Sequence, residues 1–383
     1  MFKPKIVIAP DYLVQYGGAE RVLEAFHEIW RQSPIYTSFV DKNVLGLLKI
    51  DPENIRTPLL SKIPFSFKFY KHFVPFYPEL FKRIDIDADI VISSSTFAAK
   101  FISKGRATHI CYLHTVPRFL WGYDTELTEP IVFGLDRLLD PLYKKILPGL
   151  KGKLKKADYA AAQKVDFFIA NSREVQKRIK KHYNRDSVVI YPPVDTARFV
   201  NLSDRGSGIS NQQDKYFLVV SRLGDYKRID IVVEAFNKLK LPLKIVGDGP
   251  QLPYLKSLAK SNIVFFGRVP EKEKIQLLQN CKALIFPTYE DFGIVPVEAM
   301  ATGKPVIAFR KGGATETVVE GVTGEFFDEQ TPSAIINTLK KFKLENYEPT
   351  ACRKQAEKFS SENFKRLIKF FVEEAWQNQK NTQ

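Results

Sequence analysis

The feature that most constrains this 383-residue chain is a repeated alternation of short, nearly unbroken apolar runs with stretches of helical periodicity. The runs fall at 5–9, 90–94, 108–113, 167–170, 188–190, 216–220, 243–246, 263–266, 283–286 and 305–308, and they are rich in Val, Ile and Phe. Strands apolar on both faces need cover on both faces, which a parallel sheet between helical layers supplies. Helices are expected between them at 19–30, 174–181, 229–238, 250–261, 272–280 and 297–301. Strand–helix alternation of this kind predicts doubly wound α/β layers. The polar stretch 201–214 reads as a linker, with five expected strands on either side. Two Rossmann-like halves follow, 1–198 and 199–361. A final helix over 362–377 carries Phe364, Leu367, Phe370, Phe371 and Ala375 as a packing stripe.

Bulk properties narrow the class. A formal charge of +15, from 58 basic and 43 acidic residues, suits an anionic partner. Cys111, Cys281 and Cys352 are scattered and lack metal-ligand spacing, which fits a reducing compartment. No apolar run reaches spanning length, and the apolar core near the N-terminus is of strand length only. Neither a transmembrane helix nor a leader is therefore expected.

The second half concentrates the chemistry. Ser221-Arg222-Leu223 and Lys227 follow its first expected strand, and the carboxyl ends of parallel strands are where open α/β sheets bind ligands. An Arg fork with a Lys point charge suits a diphosphate and would stabilise a departing nucleotide. A solvated basic loop explains the same residues, and both side chains are expected in solvent. Gly247-Asp248-Gly249 lacks the third glycine of a dinucleotide fingerprint. Glu290-Asp291-Phe292-Gly293-Ile294 then leads from a strand into a helix that starts before Glu298. A glycine turn there points backbone N–H groups outward, and one carboxylate lies on each side of it. Taken alone, the spacing also fits a solvated Glu290 and a Glu298 favoured by the helix dipole.

From Ser221-Arg222-Leu223 with Lys227, through Gly247-Asp248-Gly249, Phe266-Gly267-Arg268-Val269 and Glu290/Glu298, to Gly312-Gly313, the order resembles the retaining GT-B glycosyltransferases of glycosyltransferase family 4. Their signature is Glu, seven residues, Glu. The resemblance implies two Rossmann-like domains facing each other across a cleft, with the C-terminal helix crossing back to the first domain. It also implies that Arg222 and Lys227 hold the donor diphosphate and that Glu298 binds the ribose hydroxyls. Glu290, with the backbone of Phe292, Gly293 and Ile294, would grip the donor sugar, and the backbone around Val269 would meet the base.

In the first half, Gly17 and Gly18 follow the first expected strand and open a helix. They suit close approach of a ligand to backbone, and a turn needing positive φ explains them equally well. The resemblance turns this loop toward the donor phosphate and the acceptor. The string His114-Thr115-x-Pro117-Arg118-x-x-Trp121 is similar to the WbaZ-like subgroup, associated with mannosyl transfer in surface polysaccharide assembly. By that likeness His114 contacts the donor sugar or the reaction centre. Arg118 suits either an acceptor phosphate or a structural ion pair. The implied catalytic set is His114, Glu290, Arg222 and Lys227.

The Asp-x-Asp strings at 85–89 precede an expected strand on its amino side, so no metal site and no cofactor are expected. Mixed basic and aromatic residues over 61–83, and six lysines without an acid over 144–156, suit an anionic membrane surface. Aromatics packed in a core under a solvated basic face remain the alternative.

The expected function is transfer of a hexose, mannose from GDP-mannose first, to a glycan or lipid-linked glycan at the inner face of the cell membrane, with no nucleic acid involved. A UDP-hexose donor, a sugar phosphorylase and a non-catalytic nucleotide-sugar-binding scaffold are the alternatives.

Overall fold

In the computed structural model the structure describes residues 4–58, 67, 70–123, 136–203 and 216–380. They form two compact units, Met1–Pro193 with Phe364–Gln383 and Val194–Asn363. Unit 1 holds seven strands: β1 (Ile6–Pro10), β2 (Ile35–Tyr36), β3 (Ile55–Arg56), β4 (Ile90–Ser95), β5 (Thr108–Leu113), β6 (Phe167–Ala170) and β7 (Ser187–Val189). Their order is β3-β2-β1-β4-β5-β6-β7, and every pairing is parallel. Unit 2 holds β8 (Tyr216–Val220), β9 (Leu243–Val246), β10 (Ile263–Gly267), β11 (Cys281–Phe286), β12 (Val306–Phe309) and β13 (Gly324–Phe327). Their order is β10-β9-β8-β11-β12-β13, again all parallel. Both units are the doubly wound layers that the apolar runs predict. The chain direction of the crossovers reverses between β1 and β4 in unit 1 and between β8 and β11 in unit 2. Ligands of open parallel sheets bind at such switch points.

All ten expected strands are present. β2, β3 and β13 were not expected: two are only two residues long, and β13 (Gly-Glu-Phe-Phe) breaks the apolar pattern. The longest helix among the described residues, Asp136–Lys164, is not predicted by the sequence either, because Pro141, Pro148, Gly149 and Gly152 read as breakers. Tertiary packing overrides them, and Leu154, Asp158, Ala161 and Ala162 form its buried stripe. The expected linker at 201–214 is shortened, since 201–203 close the helix Thr196–Ser203; the rest lies outside the described residues.

The final helix, Ser361–Lys380, sends Phe364, Ile368, Val372 and Ala375 into the core of unit 1. Phe364 stacks on Phe26 at 5.8 Å and meets Tyr112 edge-on at 5.8 Å. Burial of one such side chain is worth roughly 1.5–3 kcal/mol. Of the expected stripe, Phe364 and Ala375 are buried and Leu367 and Phe371 pack against the same core, whereas Phe370 points away and is 63% exposed; Ile368 and Val372 complete the face.

The basic-aromatic stretches also need correction. Within 61–83, Tyr77 and Phe81 are core residues, and Phe67, Tyr70 and Phe73 pack against the same cluster. Phe76 is exposed; residues 61–66, 68 and 69 lie outside the described set. Most of the described aromatics thus serve unit 1's core. Lys145, Lys151, Lys153, Lys155 and Lys156 are exposed on the long helix. Among the described residues no helix is long and apolar enough to cross a membrane.

Candidate active site

In unit 2 the strand–turn–helix segment around Glu290 sits at the switch point. The loop after β8 contains a short 3-10 turn, Asp225–Lys227, and the Lys227 ammonium forms a hydrogen-bonded ion pair with Glu290, which follows β11. Thr288 Oγ1 donates to the Lys227 carbonyl oxygen at 3.1 Å, which ties the two loops together. The pair is semi-enclosed, with Lys227 12% and Glu290 26% exposed. Lys227 is therefore not in open solvent as expected, because Glu290 draws it onto the sheet edge. Arg222, at the carboxyl end of β8, is exposed.

The turn geometry explains the glycines. Gly293 has φ +82°, a left-handed conformation that favours glycine, and it starts the helix Ile294–Ala301. Phe292 is buried with its ring 5.6 Å from that of Phe359, so its ring serves the core and not a ligand. Gly312 and Gly313 belong to this turn as well. A Cβ on Gly313 would stand 2.1 Å from the Phe292 carbonyl oxygen, and the Gly313 N–H donates to the Glu290 carbonyl oxygen at 2.9 Å. The Gly-Gly loop thus braces Glu290 by backbone packing.

Glu298 lies on the helix after the turn and is only 1% exposed. Both of its oxygens accept from Lys274 Nζ, at 3.0 and 2.9 Å. Lys274 is on the helix Glu271–Gln279, which begins directly after Val269-Pro270 at the end of edge strand β10. Lys274 was not anticipated: in sequence it is one of many lysines, and no spacing rule links it to Glu298. Val269 itself is half-buried.

In unit 1 a pocket of about 80 Å3 opens at the other switch point, lined by Asp11, Tyr12, Gln15, Ala19, Glu20, Ser94, Thr96 and His114 among others. His114, just beyond β5, shares a hydrogen bond of 2.8 Å between Nε2 and Ser94 Oγ, and its ring meets Tyr112 edge-on. Asp11 is buried just beyond β1 and accepts from Ser95 Oγ and from the backbone N–H groups of Thr96, Phe97 and Ala99, at 2.7–3.0 Å. These bonds fix the loop after β4 against the loop after β1.

Gly17 is the N-cap of the helix Gly18–Ile29, with φ −158°. Neither Gly17 nor Gly18 has positive φ, so that explanation of the pair is set aside. The Gly17 N–H instead donates to Glu20 Oε2 at 2.8 Å, a capping contact legible in the three-residue spacing. Arg118 is half-buried at the start of the helix Arg118–Trp121. The His114–Trp121 segment is anchored by Arg178 Nη1 donating to Thr115 Oγ1 at 3.1 Å and by Trp121 Nε1 donating to Asp158 Oδ2 at 2.8 Å. The Asp-x-Asp acids lie at the opposite strand ends, where Asp87 pairs with Lys5 Nζ and Asp89 accepts from the Lys5 N–H.

Burial, with Asp11 and Glu24 nearby, pushes the Glu20 carboxyl up from 4.5 to about 7, against the lowering effect of its backbone hydrogen bonds. Between those values the folded protein binds more protons than the unfolded chain, so stability falls as pH rises and the full penalty stands above 7. Glu20→Gln removes the charge and keeps an acceptor for Gly17. The variant's advantage over wild type should grow from pH 4.5 to 7.5, by at most about 3 kcal/mol. Urea midpoints across that range check this; parallel wild-type and variant curves would refute it.

Two family models match the chain, Glycosyltransferase Family 4 over residues 16–198 and Glycosyl transferases group 1 over 201–359. Alpha-1,3/1,6-mannosyltransferase ALG2 of Dictyostelium discoideum is 30% identical over 191 residues, covering 39% of this chain and 45% of that protein. O-antigen chain mannosyltransferase C of Escherichia coli is 30% identical over 148 residues, covering 37% and 39%. The chain spans about half the length of the first curated relatives it matches. Among solved structures, Anabaena HepE in complex with UDP aligns over 97% of this chain and 100% of its own, with TM-score 0.67 and 21% identity, a likeness of fold.

Proposed function

We infer that this chain, a GT-B protein of the family 4 glycosyltransferase type, is a hexosyltransferase whose unit 2 holds a nucleotide-sugar and whose unit 1 holds the acceptor. The observation that carries this reading is the Lys227–Glu290 pair at the switch point of unit 2, with the buried Glu298 on the helix that follows. A diphosphate arriving beside Arg222 and Lys227 competes with Glu290 for the ammonium and leaves that carboxylate available to sugar hydroxyls. Transfer is proposed to retain configuration. The acceptor oxygen bonds to C1 on the face from which the phosphate oxygen departs, and its proton passes to that oxygen. Arg222 and Lys227 stabilise the charge that builds on the leaving diphosphate. His114, bonded to Ser94 at the pocket of unit 1, is assigned to the donor sugar or reaction centre, and Arg118 to an acceptor phosphate.

Mannose from GDP-mannose is the proposed donor group, supported by mannosyltransferases among the relatives, including the two described above; a UDP-hexose is second. The WbaZ-like string His114–Trp121 supports the same choice. The five exposed lysines of the helix Asp136–Lys164 support reversible docking on an anionic membrane, where each adds about 1 kcal/mol at best. No metal is invoked, because Arg222 and Lys227 are proposed as the countercharge to the diphosphate, and Lys274 pairs with Glu298.

A thermal-shift series with GDP-mannose, UDP-glucose and ADP-glucose, followed by transfer assays in EDTA, tests the reading. The right donor at ~100 times its Kd should add ~2.7 kcal/mol, with GDP-mannose first. Activity should survive EDTA. Stabilisation by none of the three would overturn the function, and activity lost to EDTA but restored by Mg²⁺ would overturn the metal-free step alone.

A further inference from the structure

We propose that the pocket at the switch point of unit 1 receives the edge of an uncharged, hydroxyl-bearing sugar ring and turns away rings that carry a carboxylate or phosphate, with Glu20 as the charge-selecting residue. That this ring belongs to the acceptor rests on the proposed function. The cavity of about 80 Å3 has room for a few waters, hence for the hydroxyl-bearing edge of one ring and not for a disaccharide. Its lining supplies what hydroxyls need. The Thr96 hydroxyl and the Gln15 amide belong to it, and neither makes a side-chain hydrogen bond among the described residues. Both groups donate and accept, as a sugar hydroxyl does.

The charges around the pocket decide which ring fits. The chain as a whole carries +15, yet no lysine or arginine lines this pocket, and two acids do, Asp11 and Glu20. Asp11 is committed to four donors of the loop after β4, which fixes its charge in place. Glu20, on the first turn of the helix Gly18–Ile29, is bonded to the Gly17 N–H and is 4% exposed. Two neighbouring cations are turned elsewhere. Arg21 is directed to the Tyr16 hydroxyl, and Lys100 Nζ, bonded to the Thr96 carbonyl oxygen, is paired with Asp158. Glu24, one turn further along the helix, is taken up by Tyr16 and the Lys49 N–H. His114 is the one lining group able to become positive, and it is bonded to Ser94. An anion entering here meets a like charge in surroundings poor in water, where repulsion is strong. Burial, and then Asp11, already push the Glu20 carboxyl up to about 7, so the pocket holds one negative charge at a cost and a second at a greater one. A hydroxyl meets no such opposition. Glu20 acts by its charge and needs no contact with the ring.

The test titrates the full chain with two probes by ligand-observed NMR, methyl α-D-mannopyranoside and methyl α-D-mannopyranosiduronate. The second carries a carboxylate in place of the 6-hydroxymethyl group, and its charge is constant between pH 6 and pH 8. At pH 8, with Glu20 ionised, wild type should prefer the neutral probe by roughly tenfold or more. At pH 6 the preference should narrow. Glu20→Gln, which keeps an acceptor for Gly17, should lose most of the preference at pH 8 while its affinity for the neutral probe changes little. Thr96→Val should weaken both probes by the same factor; should it not fold, Gln15→Ala, at an exposed position, serves in its place. An unchanged preference in Glu20→Gln, a wild type that favours the uronate, or no binding of either probe would overturn the proposal. Full affinity for both probes in the folded Thr96 or Gln15 variant would place the ring elsewhere and overturn it too. These ratios are read by binding alone. Failure of nucleotide-sugar binding in the thermal-shift series would therefore remove the proposed function without altering them, and transfer activity without a charge preference would remove the pocket proposal alone.

Discussion

Lys227→Ala is expected to lower turnover by about 10²–10³-fold, the scale of losing one electrostatic contact to developing charge, roughly 2.7–4 kcal/mol in the barrier. Stability should barely change. Glu290 is left without this lysine, but at 26% exposure it stays in reach of water, and a partly exposed ion pair is worth about 1 kcal/mol or less. Arg222→Ala should behave alike, because an exposed side chain costs within about 0.5 kcal/mol when truncated. The two effects separate in one experiment that measures kcat with saturating nucleotide-sugar beside a thermal melt of each variant. A folded Lys227→Ala enzyme with wild-type kcat would sink the assignment of Lys227 to the leaving diphosphate.

Lys100→Met should do the opposite, with a large loss of stability. Lys100 Nζ and Asp158 Oδ1 are 2.5 Å apart, both side chains 0% exposed. Asp158 Oδ2 also accepts from Tyr183 OH and Trp121 Nε1, each at 2.8 Å. Removing the lysine strands a buried carboxylate, which costs about 3–5 kcal/mol, against roughly 5–15 kcal/mol of total stability for a typical domain. Lys100→Met with Asp158→Asn should recover much of the loss, since the amide oxygen still accepts from Trp121 and Tyr183 without a charge. All three tryptophans, Trp30, Trp121 and Trp376, belong to unit 1, so indole fluorescence in urea reports that unit alone. A single-variant loss below about 1 kcal/mol would show the pair to be solvated or dispensable. The His114 loop should loosen with it, because Trp121 anchors that loop to Asp158.

These two pairs have the same chemistry and opposite consequences, and the difference is burial. The sequence contains Lys100 and Asp158 as ordinary charged residues, 58 positions apart. Only folding places one on a short 3-10 turn after β4 and the other on a long helix whose prolines and glycines hide it from pattern reading. Lys274 is the same kind of case: its ion pair with Glu298 depends on two helices meeting, which no local spacing encodes.

What the chain determined by itself was its layers and which polar residues follow its strands. Continuous apolar strands admit no arrangement but a covered parallel sheet, and polar residues directly after such strands must gather at one sheet edge. Arg222, Lys227, Glu290, Gly17, Gly18 and His114 can be placed after strands for that reason, and the helix that Glu20 caps follows from periodicity; the roles expected of these residues and of Glu298 come from the family resemblance. Tertiary structure decided everything that depends on distance between elements: the joining of Lys227 to Glu290, the bidentate hold of Lys274 on Glu298, and the face on which Phe370 was left exposed. It also decided that Tyr77 and Phe81 are core rather than surface. Periodicity fixes which residues share a face, but a charge, a ring or a carboxylate acquires its energy from what the fold brings against it and from how much water the fold removes.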